Sequence, residues 1–193
     1  RVRPGLDDKV LTAWNALMLQ GYTDAFKATG TEAYRQAALE NGQFLRDVMR
    51  QQDNRLWRTY LDGSTGVNAF LDDYAQTILA FIRLYEITFE EQWLHQAREL
   101  ADYTIDHFRD SSSNLFFFTS HLDPPLAARK KVLEDNVIPA SNSSLARGLL
   151  SLGQYFYDDQ YLSLARIMAV AMAEEMTRTL SPDFYTNWYQ LWL

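Results

Sequence analysis

Apolar residues recur along this chain at three- and four-residue steps, in stretches that come in pairs. In one of them Phe89, Trp93, Ala97, Leu100, Ala101, Thr104, Ile105 and Phe108 share one face of a 3.6-residue helix, while Glu90, Glu91, Gln96, Glu99, Asp102 and Asp106 lie largely on the other. The stretch before it, with Ala75, Ile78, Leu79, Ala80, Phe81, Ile82, Leu84 and Tyr85, is apolar over more of its circumference. A helix of the first kind covers a core from one side; one of the second kind sits between two packing partners. The pattern therefore predicts an inner and an outer helical layer.

The pairs repeat. Leu6-Asp7-Asp8-Lys9 recurs as Leu71-Asp72-Asp73-Tyr74 and as Leu133-Glu134-Asp135-Asn136. Each signature precedes a first helix, expected at Val10 to about Lys27, Ala75 to about Thr88, and about Ser143 to Tyr157. A second helix then opens on an aromatic with an alanine close to four residues on: Tyr34 with Ala38 (Ala37 in register), Trp93 with Ala97, Tyr161 with Ala165. Each unit closes on an aromatic segment expected to be extended, namely Leu56 to Tyr60, Leu115 to Thr119 and Phe184 to Trp188. The reading is a single all-α domain over 1–193 with repeats at roughly 6–70, 71–132 and 133–193.

Gly30 followed by Thr31 marks the first hairpin turn, the glycine taking a left-handed C-terminal geometry and the threonine hydroxyl capping the next helix. Asp62-Gly63-Ser64-Thr65-Gly66, Ser111-Ser112-Ser113-Asn114 and Asp123-Pro124-Pro125 supply loop chemistry between units. A repeat of about sixty residues exceeds the 34 to 47 typical of common helical solenoids. Its extra length lies in loops that would gather on one rim, which favours a closed toroid with first helices inside.

Composition narrows the function classes. A formal net charge of −7 leaves no electrostatic footprint for nucleic acid, since the only basic run is Arg129-Lys130-Lys131. There is no cysteine, so disulfides, thiolate nucleophiles and thiolate metal sites drop out, and a reducing, cytoplasmic location is the expectation. No apolar window approaches the roughly 20 residues that span a bilayer, and no signal-peptide pattern opens the chain. Beginning at Arg1 and ending on an apolar segment, both ends read as cut. His95, His107 and His121 show no HExxH spacing, and GxSxG, P-loop and GxGxxG motifs are absent, so no metal or cofactor is expected.

The acids carry the candidate chemistry. Carboxylates at a helix N-terminus meet free N–H groups and the positive end of the helix dipole, worth about 0.3–1 kcal/mol, and can be caps alone. If the first helices ring a common axis, Asp8, Asp73 and Asp135 instead converge on one mouth as candidate catalytic acids and bases. Trp14, Asn15, Asp72, Tyr74 and Asn142 are the candidate substrate-binding residues. Aromatic faces beside amides and carboxylates suit a sugar ring, although aromatics at helical spacing also build cores.

The segments Arg3-Pro4-Gly5-Leu6-Asp7-Asp8-Lys9-Val10-Leu11-Thr12-Ala13-Trp14-Asn15, Leu71 to Ala75 and Asp135 to Ser143 resemble, in order, the thioredoxin-domain-containing family that includes the spermatogenesis-associated protein and bacterial relatives. One departure is visible: the family commonly reads Pro-Ser-Gly-Asn-Ser where this chain has Pro139-Ala140-Ser141-Asn142-Ser143. The family's C-terminal part is similar to N-acylglucosamine 2-epimerases and six-hairpin glycosidases. The resemblance implies an (α/α)6 toroid of which three hairpins, about half, are present. It brings no established reaction. A saccharide-like ligand at the mouth is one expectation, and a helical scaffold for an attached thioredoxin-like domain is the rival. Half a toroid leaves apolar flanks, so self-association is expected as well.

Overall fold

The computed structural model describes residues 5–124 and 127–192. Arg3 and Pro4 of the opening motif and Pro125 of one loop lie outside that range. Six long helices form three consecutive hairpins: α1 (Thr12–Thr29) with α2 (Glu32–Asp47), α3 (Leu71–Thr88) with α4 (Glu91–Phe108), and α5 (Ser141–Phe156) with α6 (Asp159–Arg178). A two-residue strand β1 (Val10–Leu11) precedes α1, and the hairpin β2 (Trp57–Leu61) and β3 (Ser64–Asn68) joins the first two units. β4 (Arg109–Asp110) and β5 (Leu115–Phe116) follow α4, and a 3-10 turn (Pro182–Tyr185) leads into the short α7 (Thr186–Tyr189).

The inner layer is α1, α3 and α5. Helix α3 packs on α1, α4 and α5 at once, and every residue from Leu71 to Ile82 is buried. Its outward side carries Tyr74 and Phe81, whose rings meet Tyr103 and Phe108, and Trp93, of α4. Helices α2, α4 and α6 alternate buried and exposed positions, as one-sided outer helices should. Close approach between layers depends on small residues. A Cβ added at Gly148 would lie 2.9 Å from Ile78 Cγ2, and one at Gly153 would lie 2.7 Å from Leu162 Cγ. Among the described residues no helix is long and apolar enough to cross a membrane.

Each hairpin turns the same way. The first helix ends on a left-handed residue, Gly30 (φ 66°), Phe89 (φ 57°) or Tyr157 (φ 52°), whose N–H donates four residues back to Phe26, Tyr85 or Gly153. Only the first site is a glycine, so the other two accept some backbone strain to keep a short turn. Thr31 makes no side-chain cap; that task is performed in the third hairpin by Asp158, which accepts from Gln160 N and Tyr161 N.

Three expectations need correction. Phe184 to Trp188 is not extended: Pro182 starts a 3-10 turn, and the Asp135 carboxylate accepts from Asn187 N at the opening of α7. Ser64 to Gly66 is strand and not loop, because Asp62 (φ 48°) and Gly63 (φ 81°) form a two-residue turn whose twist matches a β-hairpin. Of Leu115 to Thr119, only Leu115 and Phe116 form strand.

Candidate functional site

The long connections all leave outer helices and enter inner ones, so loops and strands gather at the N-terminal ends of α1, α3 and α5. At the centre of that rim stands the start of α3. Asp73 is fully buried, with Oδ1 accepting from Ala13 N at 3.0 Å and Oδ2 from Phe70 N at 2.9 Å and Arg58 Nη1 at 2.8 Å. It thereby caps its own helix and α1 together. Asp72 is 7% exposed; its Oδ1 accepts from Arg58 Nη1 at 3.2 Å and from Asp73 N at 3.1 Å. Two carboxylates thus share one guanidinium. Burial first, and then the Asp72 charge, push Asp73 up to about 7 against the pull of Arg58 and the two backbone donors.

Helix geometry separates the two acids. At about 100° per residue, Asp72, Gln76 and Arg83 lie opposite the side of α3 on which Tyr74 and Phe81 meet α4, whereas Asp73 turns sideways to α1. Asp72 therefore heads a polar stripe on the inward face. Arg58 stacks over Phe70 at 4.8 Å, Phe70 meets Phe118 at 4.9 Å, and Lys130 Nζ lies 4.9 Å from the Phe118 ring. Phe70 also lines a cavity of about 320 Å³ with Val67, Asn68, Thr119, Asp123 and Pro124.

The other expected site residues divide between the rim surface and the framework. Asp8 is exposed, four residues ahead of α1, and Trp14 on the first turn of that helix is 60% exposed. Asn15 donates to Leu11 O at 2.9 Å. Tyr74 is 2% exposed; its hydroxyl accepts from Leu56 N at 3.0 Å, and burial raises its pKa well above the ordinary phenol value. Asn142 is enclosed, accepting from Phe116 N and donating to Phe116 O and Val132 O. Asp135 is buried six residues ahead of α5, with Oδ1 accepting from Ala140 N at 2.8 Å and Oδ2 from Asn187 N at 2.9 Å. The structure thus places Asp73 at the α1–α3 junction and Asp135 at the α5–α7 junction, with Asp8 outside both. Arg58 and Phe70 were missed by sequence reading. Arg58 lies inside an aromatic segment read only as a repeat boundary, where nothing local signals its partners. Among the described residues no group of three or more His, Asp or Glu side chains is placed to hold a metal ion.

No family model matches the chain. It is 31% identical over 188 residues to human spermatogenesis-associated protein 20, a match covering 92% of this chain and 24% of that protein. An uncharacterized protein of Caenorhabditis elegans is 26% identical over 168 residues, 83% of this chain and 23% of that one. The chain thus spans about a quarter of the length of the curated relatives it matches. A family 76 α-mannanase from Bacteroides thetaiotaomicron superposes with a TM-score of 0.76 at 22% identity, over 98% of this chain and 54% of that one. The cellobiose 2-epimerase of Bacillus thermoamylovorans gives 0.70 at 15% identity, over 83% and 43%, and a D-mannose isomerase gives 0.68 at 18%, over 87% and 43%. These likenesses carry the fold: the three hairpins correspond to about half of an (α/α) toroid.

Proposed function

We propose that this chain forms one wall of a toroid that binds a saccharide at the rim where the inner helices begin, with Asp72 as the carboxylate that meets the ligand in a glycosidase- or epimerase-type reaction and Asp73 as the buried group behind it. The observation that carries the proposal is the pair itself: adjacent carboxylates on one arginine, one of them pushed up to about 7, at the head of an inward-facing stripe. Burial and the neighbouring charge favour a proton on Asp73, which places a hydrogen-bonded carboxyl directly behind Asp72. The Phe70 and Trp14 faces offer apolar surface for a sugar ring, and the structural neighbours named above include a mannanase, an epimerase and an isomerase of sugars. In this reading Asp72 meets the ligand and Asp73 tunes it from behind. Asp135, Tyr74 and Asn142 fix the ends of the inner helices, and Asp8 stands at the open edge.

The test is a panel of neutral mono- and disaccharides titrated into the full polypeptide by calorimetry, with Asp72→Asn alongside. A bound sugar whose affinity falls by about tenfold or more in Asp72→Asn, as loss of a charge-assisted hydrogen bond requires, is the expected result. Binding that is indifferent to Asp72, or absent across the panel, sinks the proposal. A second reading is favoured by the double capping at Asp73 and Asp135: the helices act as a rigid support for an attached domain, and the acids are structural only. That reading predicts wild-type sugar behaviour in Asp72→Asn, with a loss of thermal stability.

A further inference from the structure

A polar ladder crosses the three inner helices. Gln20 Nε2 of α1 donates to Gln76 Oε1 of α3 at 3.1 Å, and Gln76 Nε2 donates to Ser144 Oγ of α5 at 2.9 Å. Seven residues is close to two helical turns, so Lys27 lies below Gln20 on the same face, and Arg83 below Gln76. Arg147 lies one turn below Ser144. Basic residues thus lie below the ladder on all three helices, Arg147 one turn down and Lys27 and Arg83 two. Glu86 is the acid there, accepting from Lys27 and from Arg83 at 3.0 Å, with the Tyr155 hydroxyl donating to its other oxygen at 3.3 Å. Two cations, Lys27 and Arg83, meet on that carboxylate, and Arg147 lies near enough to Arg83 for the two guanidinium charges to repel.

Arg147 is the member left without a counter-charge. It is partly buried and donates to the Asn187 amide oxygen at 2.8 Å, and among the described residues it has no ion-pair partner. Burial lowers its pKa, and repulsion from Arg83 lowers it further, with the charge of Asp135 offsetting this only in part. A partly desolvated guanidinium with spare donors gains most from a planar oxyanion that can take two parallel hydrogen bonds. Asp73 heads α3 one turn above Gln76, so this arginine sits on the same wall as the Asp72–Asp73 pair, about two turns deeper.

We propose that Arg147, assisted by Arg83, recognises an oxyanion substituent, carboxylate or phosphate, on the saccharide. The inference rests on the sugar-binding reading and adds the charge class of the ligand. Calorimetry on the full polypeptide with glucose, glucuronate, glucose 6-phosphate and inorganic phosphate tests it. At least one of the two acidic sugars is expected to bind about tenfold or more tighter than glucose, the size of one charge-assisted interaction. Which one binds distinguishes carboxylate from phosphate. Arg147→Gln should remove that advantage while leaving glucose within about twofold, and Arg147→Lys, which keeps the charge and loses the fork, should retain only part of it. Arg83→Gln, at the arginine already paired with Glu86, is the second variant should Arg147→Gln fold poorly, and should weaken the acidic sugar by a smaller factor. Acidic sugars no tighter than glucose, or an advantage that survives both glutamine variants, overturn the proposal. Loss of sugar binding in Asp72→Asn bears on the earlier reading alone; indifference to Asp72 with phosphate binding lost in Arg147→Gln would keep this site and discard that one.

Discussion

Removing the Asp135 carboxylate should be far more damaging than removing that of Asp8, its counterpart in the first repeat. Its two oxygens accept from Ala140 N at 2.8 Å, just ahead of α5, and from Asn187 N at 2.9 Å, in the first turn of α7, and Ser143 Oγ lies 3.4 Å away. Asp135→Ala leaves two backbone N–H groups without this acceptor, that of Ala140 in the interior and that of Asn187 half-buried. Each such orphan costs about 1–3 kcal/mol, and a lost helix cap is typically worth about 1 kcal/mol, so a total near 3 kcal/mol is expected. For a domain of this size about 1 kcal/mol moves the melting temperature by roughly 2–4 °C, which puts the fall at about 6–12 °C. Asp8→Ala, at an exposed position whose side chain caps nothing, should change the melting temperature by less than about 2 °C, in line with surface substitutions within ±0.5 kcal/mol. Thermal unfolding followed by circular dichroism measures both. Equal effects at the two positions would refute the assignment of Asp135 as a cap shared by two helices.

Gly153→Ala and Gly21→Ala test the packing between layers in the same assay. The first places a Cβ 2.7 Å from Leu162 Cγ and 3.0 Å from Leu162 N and should destabilise by about 1–3 kcal/mol, whereas the second meets open space and should stabilise by about 0.5–1 kcal/mol through helix propensity. The reverse order would contradict the close α5–α6 approach. Asp73 gives a pH signature. A folded-state pKa raised from 3.8 to about 7 means that the native state binds more protons than the unfolded chain across that window, so this group's contribution to stability falls as pH rises through it. Stability measured from pH 4 to 8 should therefore show the deficit of Asp73→Asn relative to wild type shrinking with pH. A deficit that grows would place the pKa below the ordinary value, with the caps outweighing burial.

The double duty of Asp73 and Asp135 bears on how chemistry and architecture divide here. Each closes a seam at the start of an inner helix, Asp73 by holding α1 to α3 and Asp135 by holding α5 to the short α7. A carboxylate with both oxygens occupied is a poor first contact for a ligand. Its neighbour Asp72 is turned inward, and its Oδ2 is engaged only by Arg58 at 3.4 Å, a long contact that a ligand can displace. The same sequence signature thus yields a structural acid and a candidate chemical one a single residue apart.

Periodicity and recurrence within the sequence were enough to determine three helical hairpins, an inner and an outer layer and the crowded rim, because burying an apolar stripe every 3.6 residues is a local constraint that leaves its mark in residue order. The acids were legible as markers of each inner helix for the same reason. Tertiary structure alone decided what those acids do. Whether Asp8, Asp73 and Asp135 share a hollow depends on side-chain direction and on partners 60 and 52 residues away, Ala13 for Asp73 and Asn187 for Asp135, and a two-residue shift of helix start turns a side chain by about 200°. Arg58 and Arg147 were invisible for the same physical reason: their importance lies in which charges they meet or fail to meet across the inner wall, and charge pairing of that kind is a property of space and not of spacing.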